Sequence, residues 1–139
     1  MSKTMLAALA FGAAVAFSGP AFAEKMKATL DSKSEVPANT SAGKGTAEID
    51  YDPASKKVSW KVTYSGLSGP ATAAHFHGPA EPGKNAGVAV AIPNAGASPV
   101  EGSATLTDAQ AADLVAGKYY INIHTAANPG GEIRGQVTK

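Results

Sequence analysis

The chain has 139 residues, with 12 Lys or Arg against 11 Asp or Glu, 3 histidines and no cysteine. So even a balance, without a basic run, argues against the electrostatic attraction that carries binding to nucleic acid or an anionic membrane surface. The missing cysteine excludes disulfides, thiolate metal centres and a lipidated cysteine anchor.

Residues 1–23 have the layout of a secretory leader: Lys3 in a short basic start, an apolar run over Met5–Phe17, and the small-residue site Ala21-Phe22-Ala23. The run falls short of the about 20 residues that a membrane span takes. Cleavage after Ala23 leaves Glu24–Lys139 as one domain. The expectation is a periplasmic or secreted protein with no membrane contact after cleavage, no nucleic-acid partner and a possible protein partner. Without Lys3, eleven basic residues face eleven acidic ones, so the mature net charge is near zero.

Met26, Ala28 and Leu30 alternate with Lys27 and Thr29, predicting a first strand at a sheet edge. Ser34–Gly43 is a polar loop. Ala47, Ile49 and Tyr51 form the apolar parity of a second strand, and a turn over Asp52–Lys56 follows. Val58, Trp60, Val62 and Tyr64 alternate with polar residues, so one face of that strand is solvated and Trp60 belongs to the core. After a break at Ser65–Pro70, Ala71–Gly78 places Phe76 on the core parity and His75 and His77 on the other. Gly78–Gly87 is a Gly/Pro-rich loop. Val88–Ile92 and Glu101–Leu106 read as short strands. Thr107 reads as the N-cap of a helix containing Ala109, Ala112, Leu114 and Val115 and stopping at Gly117.

The chain closes on a hairpin, Tyr119–Val137, turned by Asn128, Pro129, Gly130 and Gly131. Tyr119, Ile121, Ile123, Ile133 and Val137 take the core parity. Asn122, His124, Glu132, Arg134 and Gln136 share the opposite, solvent-side face. About seven or eight short strands with regular turn signals and one short helix indicate an all-β fold, an antiparallel Greek-key β-sandwich.

Two histidines at i and i+2 on a strand stand on one face, roughly 7 Å apart at the backbone. A third from a neighbouring strand completes a set of three nitrogens. His75, His77 and His124 are therefore the candidate metal ligands, with copper favoured by the affinity order and zinc as the alternative. The competing reading leaves them as polar surface residues. Asn122, Glu132 and Arg134 are candidates for supporting the ligands from behind. Arg134, the sole arginine, is either an anion contact or half of an ion pair with Glu132 or Glu101. No nucleophile motif or phosphate loop is present.

SEVPAN, GKGTAEIDYD, VSWKVTYSGLSG, AAHFHGPA and YYINIHTAANPGGEIRGQV together span nearly all of residues 24–139. On these landmarks the chain resembles the CHRD domains, modules named from the repeats of chordin. The resemblance implies an exported β-sandwich and, since chordin binds growth-factor ligands, a protein-interaction role. A fainter similarity, to copper–zinc superoxide dismutases, rests on the His-x-His strand, a later strand histidine and the turn ANPGG. It implies copper ligation by His75, His77 and His124. The bridging histidine and remaining zinc ligands of that family have no counterpart here, its disulfide is impossible, and Glu132 falls nearest the place of its active-site arginine. The sequence thus supports a mononuclear copper site. A non-catalytic interaction module and a dismutase-like redox enzyme stand as alternatives.

Overall fold

The computed structural model describes residue 12 and residues 23–139. The expected leader lies outside the described residues, apart from Gly12 and Ala23. The strict alternation of the sequence becomes eight strands: β1 Glu24–Asp31, β2 Lys44–Asp52, β3 Lys57–Ser65, β4 Ala71–His77, β5 Val88–Ile92, β6 Val100–Thr105, β7 Tyr120–Thr125 and β8 Ile133–Gln136. One helix, α1 Asp108–Val115, lies between β6 and β7. Thr107 caps it, accepting from the Gln110 amide while the Gln110 side chain returns the bond to the Thr107 amide. The helix buries Ala111 and Leu114. No helix among the described residues is long and apolar enough to cross a membrane.

The strands form one antiparallel sheet in the order β5-β4-β7-β8-β1-β2-β3-β6. Its ends, β5 and β6, approach one another, so the sheet nearly closes and acts as a sandwich of two four-stranded halves. The non-consecutive pairings β3–β6, β4–β7 and β1–β8 are the long connections of a Greek key. Trp60 of β3 meets Phe76 of β4 edge-on across the interior, with ring centroids 5.4 Å apart. Met26, Ala28, Leu30, Ile49, Val58, Val62, Ile121, Ile123, Ile133 and Val137 fill the same core. The expected all-β sandwich and the expected core parities are what the chain forms.

Two expectations are overturned. β1 is central, paired with β2 along its whole length on one side and with β8 on the other. Alternation reports which face of a strand is buried but not what runs beside it, and here the edges are β5 and β6. The outer face of β4, β7 and β8 is also not a solvent face. His77, Asn122, Glu132 and Arg134 are all buried. The loops over residues 32–43 and 78–87 fold back across these strands: Asn39 and Ser41 side chains bond to Glu132, and the carbonyls of Lys84 and Ala86 accept from Arg134 and His77.

Candidate metal centre

Antiparallel register builds the cluster. His75 lies opposite Asn122, His77 opposite Tyr120, and His124 opposite Ala73, so His124 is the diagonal neighbour of His75 on the same face. Ring centroids stand 5.0 Å apart for His75–His124, 5.4 Å for His75–His77 and 6.1 Å for His77–His124. One ring nitrogen from each lies within 4.8 Å of the others. At metal–nitrogen distances of about 2.1 Å, three ligands of one tetrahedral or facial site stand roughly 3–3.4 Å apart, so side-chain adjustments of up to about 1.8 Å close the set. The structure brings all three sequence-predicted ligands together.

Hydrogen bonds fix which nitrogens are free. His77 Nδ1 is 2.9 Å from the Ala86 carbonyl oxygen, and His124 Nδ1 is 2.8 Å from that of Pro129. A carbonyl only accepts, so both Nδ1 atoms carry hydrogen and both Nε2 atoms keep lone pairs. His75 Nδ1 approaches His124 Nε2 to 3.1 Å, and must donate to that lone pair. His77 Nε2 is buried without a hydrogen-bond partner. Burial pulls the pKa of His75 and of His77 below the ordinary imidazole value, and for His75 the neighbouring imidazoles pull the same way. Both rings are therefore neutral at pH 7, the form that binds a metal ion.

The supporting residues divide. Asn122 is buried between His77 and Glu35, and its amide nitrogen also reaches the Gly130 carbonyl oxygen at 3.4 Å. Glu132 touches no histidine. Its carboxylate accepts from Ser41 Oγ at 2.9 Å, the Ser68 amide at 2.8 Å, Thr125 Oγ1 at 2.8 Å, Asn128 Nδ2 at 3.0 Å and Ser68 Oγ. Burial pushes its pKa up, but these donors outweigh burial and hold it at about 2. Glu132 is the clasp that pins three loops to the strand end, not a ligand-orienting group.

Arg134 pairs with neither Glu132 nor Glu101; the ion pairs among the described residues lie elsewhere. It is a buried clamp instead. Its guanidinium donates to Asn85 Oδ1 at 2.9 Å and to the Lys84 carbonyl oxygen, and lies 3.4 Å over the Tyr120 ring. Tyr120 in turn stacks on His77, with centroids 5.0 Å apart and planes 4° from parallel.

Sequence reading missed Glu35, Tyr120 and Ala86. Glu35 is buried with one carboxylate oxygen unpartnered, close above Gly131. Gly131 has φ of +126°, and a methyl group there would collide with that oxygen, so only glycine fits. The only signal for Glu35 was its place within SEVPAN; in an aperiodic loop nothing local marks a residue as buried. Burial raises its pKa to about 7, while Arg134 and Asn122 act to lower it. A folded-state pKa above the unfolded value means stability that is full below about pH 4.5 and lost as pH rises through 7. Glu35→Gln removes that loss. Relative to the wild type, the variant should gain about 3 kcal/mol between pH 4.5 and pH 8 in urea titrations, from a shift of about 2.5 pKa units at 1.36 kcal/mol each. A pH-independent difference would contradict this.

The CHRD domain family model matches residues 26–137, which runs from within β1 past the end of β8 and includes every residue of the cluster. The chain belongs to the CHRD domain family. Neither the curated proteins nor the solved structures contain a significant match.

Proposed function

We propose that this CHRD domain is an exported, periplasmic or secreted, metal-binding protein that holds one copper ion through His75, His77 and His124. The observation that carries the reading is the convergence of three imidazoles, two of them with Nδ1 committed to a backbone carbonyl so that the lone pair sits on Nε2. A carbonyl behind a ligating imidazole is the usual means of fixing its tautomer and orientation. An all-nitrogen set without thiolate suits Cu(II) ahead of Zn(II) by the affinity order. With three protein ligands, one coordination position stays open for water or for a transfer partner.

Holding or delivery of the ion is favoured over dismutase-like turnover by the position of Arg134. The sole arginine is buried against Tyr120 and the 84–85 backbone, where it serves the loop and not an anion at the cluster.

The test is to load the leader-free protein with Cu(II), remove excess and measure stoichiometry and the EPR spectrum. One copper per chain with nitrogen hyperfine structure is expected, and His→Ala at 75, 77 and 124 together should abolish it. Copper bound equally by the triple variant would end the proposal.

A further inference from the structure

Two rings, one guanidinium and a loop form a stack behind the cluster that ligation alone does not require. Guanidinium, phenol and imidazole lie one on another: Arg134 at 3.4 Å over Tyr120, and Tyr120 parallel to His77. The order follows from the ladder, since Tyr120 faces His77 across β4–β7 and Arg134 sits diagonally from it on β8. A cation over an aromatic face is held more strongly when desolvated, and this one is buried.

The same arginine holds the loop that orients His77. It fixes Lys84 through its carbonyl oxygen and Asn85 through Oδ1. Asn85 Nδ2 ties that loop to the Val36 carbonyl at 3.0 Å. The next residue, Ala86, is held at both ends of its peptide by the Tyr120 hydroxyl, at 3.1 Å from its amide nitrogen and 3.2 Å from its carbonyl oxygen. That carbonyl is the acceptor for His77 Nδ1. The carbonyl that receives His77 Nδ1 and the ring stacked on His77 are thus both tied to Arg134 or Tyr120.

We propose that Arg134 is a positioning residue: by clamping residues 84–86 and stacking on Tyr120, it holds His77 as the Nδ1-protonated tautomer and so makes Nε2 the ligating nitrogen. The inference rests on the copper reading for its purpose, but not for its test. Loss of the clamp frees Ala86, after which His77 samples both tautomers and presents a correct donor only part of the time. Removing such a support costs a metal site about tenfold to a hundredfold in affinity.

Long-range ¹⁵N–¹H correlation spectra of the imidazoles in metal-free protein report the tautomer directly. The wild type should show His77 with Nδ1 protonated and Nε2 bare. Arg134→Met should give a mixture and bind Cu(II) about tenfold to a hundredfold more weakly. Tyr120→Phe keeps the ring face, and should retain the tautomer with a smaller loss of affinity. Asn85→Ala removes one arm of the clamp at an exposed position, and its spectrum decides the matter should Arg134→Met not fold. A folded Arg134→Met, or in its place Asn85→Ala, whose His77 stays wholly Nδ1-protonated overturns the proposal. A wild type that binds no copper would sink the metal reading, while the imidazole spectra would still show whether Arg134 governs His77.

Discussion

Glu132→Ala is expected to cost the fold about 3–5 kcal/mol, the range for removing one member of a buried, charge-assisted network. The magnitude follows from what is left behind. Four side-chain donors and one backbone amide, from Ser41, Ser68, Thr125 and Asn128, lose their common acceptor. Donors that stay buried without a partner each cost about 1–3 kcal/mol, offset where a loop opens to water. The loops concerned carry Asn39, whose amide also reaches the Glu132 carbonyl at 3.0 Å, and the turn whose Pro129 carbonyl orients His124. Instability at Glu132 should therefore reach the metal centre through loops without any direct contact.

The pH dependence supplies a control. The pKa of Glu132 is depressed in the fold, so its contribution is present above the unfolded value of about 4.5 and is lost as pH falls towards 2. The shift of about 2.5 units corresponds to about 3 kcal/mol. Glu132→Gln should thus be less stable than the wild type at pH 7 and close to it near pH 2 in denaturant titrations. A constant gap across that range would show that shape, not charge, is what the loops need.

Loss of a ligand should have the largest effect on binding. Each of His75→Ala, His77→Ala and His124→Ala should weaken Cu(II) by more than about a hundredfold, beyond what loss of a mere supporting partner costs. Stability should respond unequally, because His77 is buried under Tyr120 whereas His75 and His124 are half-buried. Protons compete only when the ligands titrate, and burial lowers the pKa of His75 and His77. Competition titrations should accordingly find that proton competition at His75 and His77 sets in at a lower pH than for an exposed imidazole. A decline already steep at pH 7.5 would contradict this protonation scheme.

The residues that announce this site in the sequence are those whose placement depends on local geometry. His75 and His77 share a face because strand side chains alternate, and the NPGG turn sets the parity of His124. Trp60, Val62, Ile121 and Ile123 declared the core for the same reason. What remained illegible depends on distant segments. β1 is central because β8, more than a hundred residues later, pairs with it. The burial of His77 and Arg134 is decided by the 78–87 loop, whose Gly/Pro composition says only that it turns. The partners of Glu132 come from positions 41, 68, 125 and 128, which no periodicity connects. Arg134 looked like half of an ion pair because charge is visible in a sequence, whereas its partners here are a backbone carbonyl, an amide side chain and a phenol face.

The most direct measurement is a crystal structure of the copper-loaded protein, with anomalous diffraction at the copper edge to locate the ion. A single copper about 2.0–2.1 Å from one ring nitrogen of each of His75, His77 and His124, with Nδ1 of His77 and of His124 still on the carbonyls of Ala86 and Pro129, is the predicted result. An ion bound away from these three rings, or no bound copper at saturating concentration, would contradict it.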